Sequence, residues 1–153
     1  MQAVIFCGIQ ASGKTTFYAE RLLKTHVRIG MDLMRTRHRE RRFLETCLQT
    51  GQRFVVDNTN PTAADRRPYL QAARAARYEV VSYFFETSPG AALARNEQRS
   101  AAEVIPVAGV LGTFKLLEPP DHAEGYDAIY SVRIAEGGGF VVSLVWPSIL
   151  FRE

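Results

Sequence analysis

Gly8-Ile9-Gln10-Ala11-Ser12-Gly13-Lys14-Thr15 decides the fold. The stretch reads G-x-x-x-x-G-K-[ST], the phosphate-loop pattern, and its flanks suit one. Val4-Ile5-Phe6-Cys7 before it is a short apolar run fit for a buried strand, and residues 16–23 after it repeat apolar side chains at helical spacing. A triphosphate needs many donors converging on it. Glycines let the backbone curl until successive N–H groups point inward, and the helix N-terminus adds partial positive charge. Gly8, Ala11, Ser12, Gly13 and Thr16 are therefore expected around the phosphates of ATP or another nucleoside triphosphate. Lys14 is expected on the β- and γ-phosphates, and the Thr15 hydroxyl as a ligand of Mg²⁺. The competing interpretation is an ordinary glycine turn between strand and helix.

Outward from the loop, strands and helices alternate. Val27-Arg28-Ile29-Gly30 reads as a second strand, and an arginine-rich segment from Asp32 turns helical through Phe43, Leu44, Cys47 and Leu48 before Gly51 caps it. Phe54-Val55-Val56 is a third strand, closed by Asp57-Asn58-Thr59-Asn60-Pro61. Thr62-x-x-Asp65 resembles a capping box for a helix over 62–77, in which Pro68 should kink the helix or move its start. Residues 80–85 form a fourth strand, 89–98 a helix, 100–105 a mobile connection, and Pro106 opens a helix through Lys115. Ala128–Ile134 and Phe140–Trp146 flank Gly137-Gly138-Gly139 as paired strands. This order predicts an α/β fold, a P-loop NTPase three-layer sandwich. Its mostly parallel central sheet has helices on both faces, a small helical lid and a C-terminal antiparallel strand pair. Ligands belong at the carboxyl ends of the strands.

Bulk properties narrow the class. The 153 residues are expected to form one domain, 1–153, and the 46% hydrophobic and 23% charged content is that of a globular protein. No apolar run reaches membrane-spanning length and the first strand starts at once, so a cytoplasmic protein with no membrane partner is expected. Cys7 and Cys47 form no metal or redox motif, which fits a reducing compartment. His26, His38 and His122 lack ligand spacing and are read as surface or loop residues. The net charge of +3 is modest, but only Lys14, Lys24 and Lys115 are lysines, and arginine is the better fork for phosphate.

Guanine-specific switch proteins need N-K-x-D and transporter-type ATPases S-G-G-Q; neither is in this sequence. A small kinase fits better. Asp32, just past the second strand, would orient an acceptor hydroxyl and take its proton, or else merely cap the following helix. Arg35, one helical turn on, could hold an anionic group of the acceptor. Arg37, Arg39, Arg41 and Arg42 extend a basic run that is otherwise a solvated face balanced by Glu40 and Glu45. Asp57 suits a place near Mg²⁺ or its water shell, or a turn cap. Arg95 and Arg99 suit a closing lid, or plain surface.

Together these residues resemble the kinase domain of the 5′-hydroxyl polynucleotide kinases, from about Val4 to Ile134. Asp32-x-x-Arg35, Val55-Val56-Asp57-Asn58-Thr59-Asn60-Pro61 and Arg95-Asn96-Glu97-Gln98-Arg99 carry the likeness. Ile105-Pro106-Val107 and Glu124-Gly125-Tyr126 with Ile129 extend it. The resemblance implies Lys14 and Thr15 on phosphates and metal, and Asp32 as general base. It also implies Arg35 on the acceptor's 3′-phosphate, Arg99 as lid arginine, and Asp57 in a structural or water-mediated metal role. DNA or RNA with a 5′-OH would be the acceptor, and a nucleic-acid repair ligase or phosphatase the functional partner. Gln10 and Ala11 replace the family's Pro-Gly, a change tolerable if their φ is negative, and Gly30-Met31 replaces its Asn-Arg. With no D-x-D-x-[TV] motif, the chain is expected to phosphorylate only. The alternatives are a small-molecule or sugar kinase with the same donor side, or a non-catalytic nucleotide-binding protein.

Overall fold

Six apolar runs pair edge to edge in the computed structural model, which describes residues 1–148. They are β1 (Gln2–Cys7), β2 (Val27–Ile29), β3 (Phe54–Val56), β4 (Glu79–Phe85), β5 (Ala128–Ile134) and β6 (Phe140–Trp146), in the order β2-β3-β1-β4-β5-β6. The first five are parallel, and β6 runs antiparallel to β5. Parallel strands need both faces covered, and β1 shows it: Ala3 through Cys7 are wholly buried. The pleat sends Ala3 and Ile5 to one face, against Leu44, Leu70 and Ala73. It sends Val4 and Phe6 to the other, against Phe17 and Phe85. The helices are α1 (Lys14–Arg21), α2 (Met31–Met34), α3 (Arg37–Thr50), α4 (Ala63–Ala75), α5 (Pro89–Glu97) and α6 (Val107–Leu116). Among the described residues, no helix is long and apolar enough to cross a membrane.

The expected α/β sheet with its C-terminal strand pair is therefore present, and several local expectations change. The helix after β2 is two helices. Arg35 leaves α2 at φ 68°, and Thr36 restarts the chain as α3 by accepting a hydrogen bond from the Arg39 amide at 3.2 Å. Pro68 does not move the start of α4, which runs from the Thr62–Asp65 capping box straight through it to Ala75. Pro68 and Ala64 are both exposed, so water can meet the carbonyl that the missing N–H deserts. The connection at 100–105 is pinned: the buried Asn96 side chain donates to the Ile105 carbonyl at 2.6 Å and accepts from its amide at 3.0 Å. His26 keeps the loop position read for it but is buried, with its ring nitrogens against Gln2 and Thr25 at 2.8 and 2.7 Å.

An arginine lies wholly inside the core. Arg66 of α4 is fully buried, forked onto Glu124 at 2.9 Å through both Nε and Nη2, and donates to the Asn60 carbonyl at 2.8 Å. Removing one partner strands the other charge away from water, which costs about 3–5 kcal/mol. Arg66→Ala is accordingly expected to lower unfolding free energy by about that amount in urea titration. A loss below about 1 kcal/mol would refute a structural role for the pair.

Candidate active site

The carboxyl ends of β1, β2 and β3 share one edge of the sheet, and the three segments that leave them build a crevice of about 370 Å³. The 8–15 loop follows β1. Its curl is made at two left-handed residues, Ala11 at φ 59° and Gly13 at φ 94°. The condition of negative φ is thus not met at Ala11: the turn that aims N–H groups inward requires the glycine-like region there. Space is tight as well. A Cβ on Gly8 would meet the Phe85 Cβ at 2.9 Å, and one on Gly13 the Phe140 ring at 3.0 Å. Lys14 is folded into the loop, donating to the Gly8 carbonyl at 2.9 Å and the Ile9 carbonyl at 2.7 Å. Burial pushes its ammonium down to about 8, against the opposing pull of Asp57.

The acidic side of the crevice comes from the next two strands. Asp57, at the end of β3, is buried, and its Oδ2 accepts from the Thr15 hydroxyl at 2.9 Å and from Arg28 Nε at 2.7 Å. Arg28 also donates through Nη2 to both oxygens of Asp32, at 3.1 and 2.9 Å. Burial alone would depress the Arg28 guanidinium, but the hydrogen bonds to Asp32 and Asp57 hold it above its ordinary value. Asp32 sits in the first turn of α2 with 65% of its side chain exposed, open to an incoming group. Gly30 permits this packing, since a Cβ there would lie 2.8 Å from Asp32 Oδ1. Asn58 fixes the turn by accepting from the Met31 amide at 2.9 Å.

Of the residues singled out from sequence, the crevice is lined by Ala11, Ser12, Gly13, Lys14, Thr15, Thr16, Asp32, Asp57 and Arg99. Gly8 stands behind it as a Lys14 acceptor. Arg95 braces the loop from outside, donating to the Ala11 carbonyl and to Thr87 Oγ1, each at 2.6 Å. Arg35 is exposed at the end of α2 and does not line the crevice, whereas Arg37 does. Arg28, Gly30, Asn58 and Asn96 were given no role in the site. Only Arg28 carried a usable signal: an arginine inside a three-residue strand must find a carboxylate partner.

No group of three or more His, Cys, Asp or Glu able to hold a metal occurs among the described residues. The hard oxygens of Thr15 and Asp57 nevertheless suit Mg²⁺, which is commonly bound through one or two side chains plus substrate phosphates.

An AAA domain model, AAA_33, matches residues 4–115 of the chain. A protein of Acanthamoeba polyphaga mimivirus, named as a bifunctional polynucleotide phosphatase/kinase, is 28% identical over 89 residues. That alignment takes in 58% of this chain and 21% of the viral protein, so the chain spans about a fifth of that relative's length. Among solved structures, a gluconokinase from Sinorhizobium meliloti superposes with a TM-score of 0.62 at 16% identity, covering 88% of this chain and 83% of that one. Kti12 of Chaetomium thermophilum, in complex with ADP-AlF3, gives 0.64 at 14% identity, covering 86% and 88%. At such identities the likeness is one of fold, that of a P-loop kinase-like domain.

Two expectations follow from the loop. Phosphates favour the charged form of Lys14, so nucleotide binding takes up a proton once the free ammonium begins to titrate near 8. ADP affinity should be flat below that value and fall by up to about tenfold per pH unit above it, as read by calorimetry. Affinity independent of pH up to the alkaline limit of stability would contradict the assignment. Ala11→Gly removes a left-handed alanine and should raise stability by about 1 kcal/mol, seen as a melting temperature higher by about 2–4 °C.

Proposed function

The chain belongs to the AAA_33 family of AAA domains, and on that footing we propose that it is a 5′-hydroxyl polynucleotide kinase, moving the γ-phosphoryl of ATP to the 5′-OH of DNA or RNA. One observation carries the proposal. Asp32, an exposed carboxylate held by Arg28, shares its crevice with Lys14, Thr15 and the lid-side Arg99. Donor cradle, general base and a cation facing the phosphates are what phosphoryl transfer to an alcohol requires. The 28% identity to the viral phosphatase/kinase supports the choice of acceptor.

The residues divide the work as follows. Loop N–H groups and Lys14 hold the triphosphate with its γ-phosphorus toward Asp32. Thr15, and Asp57 through water, would hold Mg²⁺, which neutralises charge on the β- and γ-phosphates when bound. Asp32 accepts a hydrogen bond from the 5′-OH and takes its proton as the new O–P bond forms and the bond to the ADP oxygen breaks. A carboxylate is a weak base, and that suffices because in a loose transition state the proton leaves late. Arg28 keeps Asp32 turned toward the phosphates. From its exposed place outside the crevice Arg35 would serve the acceptor's 3′-phosphate, and Arg99 the charge developing on the transferred group.

Asp32→Ala is expected to lower transfer from ATP to a 5′-OH oligonucleotide by at least about a thousandfold while leaving ADP affinity within about twofold. Retained transfer would remove Asp32 from its role. Equal activity on nucleosides that lack a 3′-phosphate would favour a small-molecule kinase instead.

A further inference from the structure

Gln10 lines the phosphate crevice, yet its Oε1 is buried and has no hydrogen-bond partner among the described residues. A buried acceptor left without a donor is unfavourable, and in a ligand site it marks where a donor belongs once the site fills. The neighbouring helix fixes which way the carboxamide points. Thr113 of α6 donates its hydroxyl proton to the Gly109 carbonyl at 2.9 Å, so toward Gln10 it can only accept. Gln10 supplies that donor through Nε2, at 3.0 Å. A flip of the amide would set two acceptors face to face, so Oε1 is the end turned away from Thr113.

The loop is seated on α5 and α6 on this side. Ile9 is buried against Ala92 of α5 and Val110 of α6, and Arg95 of α5 donates to the Ala11 carbonyl at 2.6 Å. These helices follow β4, whereas Asp32 and the Asp57–Thr15 pair stand at the ends of β2 and β3, across β1. Gln10 therefore leans away from the oxygens suited to Mg²⁺.

Few donors can meet it there. The phosphates of ATP present only acceptor oxygens, and the single proton of a 5′-OH goes to Asp32. Of the four cationic side chains lining the crevice, three are engaged within the protein. Lys14 is bound to the Gly8 and Ile9 carbonyls, Arg28 to Asp57 and Asp32, and Arg37 to Glu40 and the Tyr69 hydroxyl. Arg99, just past α5, has no ion-pair partner among the described residues. Its charge is felt at the loop: burial is the main cause that lowers the Lys14 ammonium, and the Arg99 guanidinium adds to it.

We propose that Gln10 is a positioning residue for Arg99, its Oε1 accepting a hydrogen bond from the guanidinium when a phosphoryl group occupies the loop. One N–H on Oε1 sets the plane of the fork, and the others remain for phosphoryl oxygens. Thr113 in turn holds Gln10, so α6 takes part in aiming the cation. The inference rests on the kinase reading above for what Arg99 acts on, and deepens it by naming what orients that side chain.

The test is a double-mutant cycle of Gln10→Ala and Arg99→Ala, read by calorimetry as affinity for ADP with aluminium fluoride and for ADP alone. Aluminium fluoride stands in for the phosphoryl group in transfer, so the measurement needs neither acceptor nor turnover. With Arg99 present, Gln10→Ala should weaken the fluoride complex by at least about tenfold while leaving ADP within about twofold. Without Arg99 the same substitution should cost less than about twofold, because the donor it served is gone. A Gln10 that only shaped the loop would weaken both ligands in both backgrounds. A loss under about tenfold with Arg99 present, or of about twofold or more without it, overturns the assignment. Gln10→Leu, close to glutamine in volume, repeats the cycle if Gln10→Ala also loses ADP, and loss of ADP in both variants overturns it too. Transfer to 5′-OH oligonucleotides is measured alongside. Its absence in wild-type protein with the cycle intact removes the acceptor proposed above and leaves the contact between Gln10 and Arg99 standing. A failed cycle with transfer present does the reverse.

Discussion

Arg28 sits between two carboxylates, donating from Nε to Asp57 at 2.7 Å and from Nη2 to Asp32 at 2.9 Å, and the crevice is arranged around that bridge. Arginine suits the place because its planar fork presents donors in two directions at once, whereas an ammonium is a single point of charge. Asp57 is buried beside Thr15 and would be left uncompensated without it, a penalty of several kcal/mol. Asp32 lies at the exposed end of the same fork, where solvent screens the attraction, so the second contact orients more than it stabilises. Gly30 completes the arrangement by giving the Asp32 carboxylate room against the backbone.

Around this bridge the polar network grows outward in a defined order. Asn58 accepts from Met31 on the Asp32 turn and donates to Glu40, which in turn gathers Arg37 and the Tyr69 hydroxyl. Burial, reinforced by the Glu40 carboxylate, pushes the Tyr69 phenol up to about 12, so it stays a donor throughout the physiological range. The turn after β2, the loop after β3 and the helices α3 and α4 are thereby coupled through one buried carboxylate. Such a network is stiff when every member is satisfied, and here each has a partner.

Much of this was legible in the residues. The alternation of apolar runs and helical spacing announces the parallel sheet, and G-x-x-x-x-G-K-T announces the phosphate loop, because both rest on local periodicity and backbone freedom. Thr62-x-x-Asp65 likewise announces its capping box. The break between α2 and α3 was not legible, since it turns on Arg35 adopting a left-handed φ that arginine does not favour. Ala11 escaped for the same reason. Asp57, the buried partner of Arg28, lies 29 residues away and Ile105, the partner of Asn96, 9 away, fixed by how strands and connections stack rather than by any local pattern. Arg35 itself shows the limit of spacing arguments, because one helical turn from Asp32 means a shared face only while the helix continues.

The contact between Gly13 and Phe140 has a consequence for biosynthesis. The aromatic ring that backs the loop, packed edge-on against Phe17 with centroids 5.2 Å apart, belongs to the last strand of the sheet. A ribosome delivers the nucleotide cradle well before its buttress. While the intervening chain is being made, the loop lacks its rear wall, and the apolar face of α1 that Phe140 covers is left for a chaperone or for water. Competence to hold a nucleotide would then wait on the closing hairpin, far downstream of the loop that it completes.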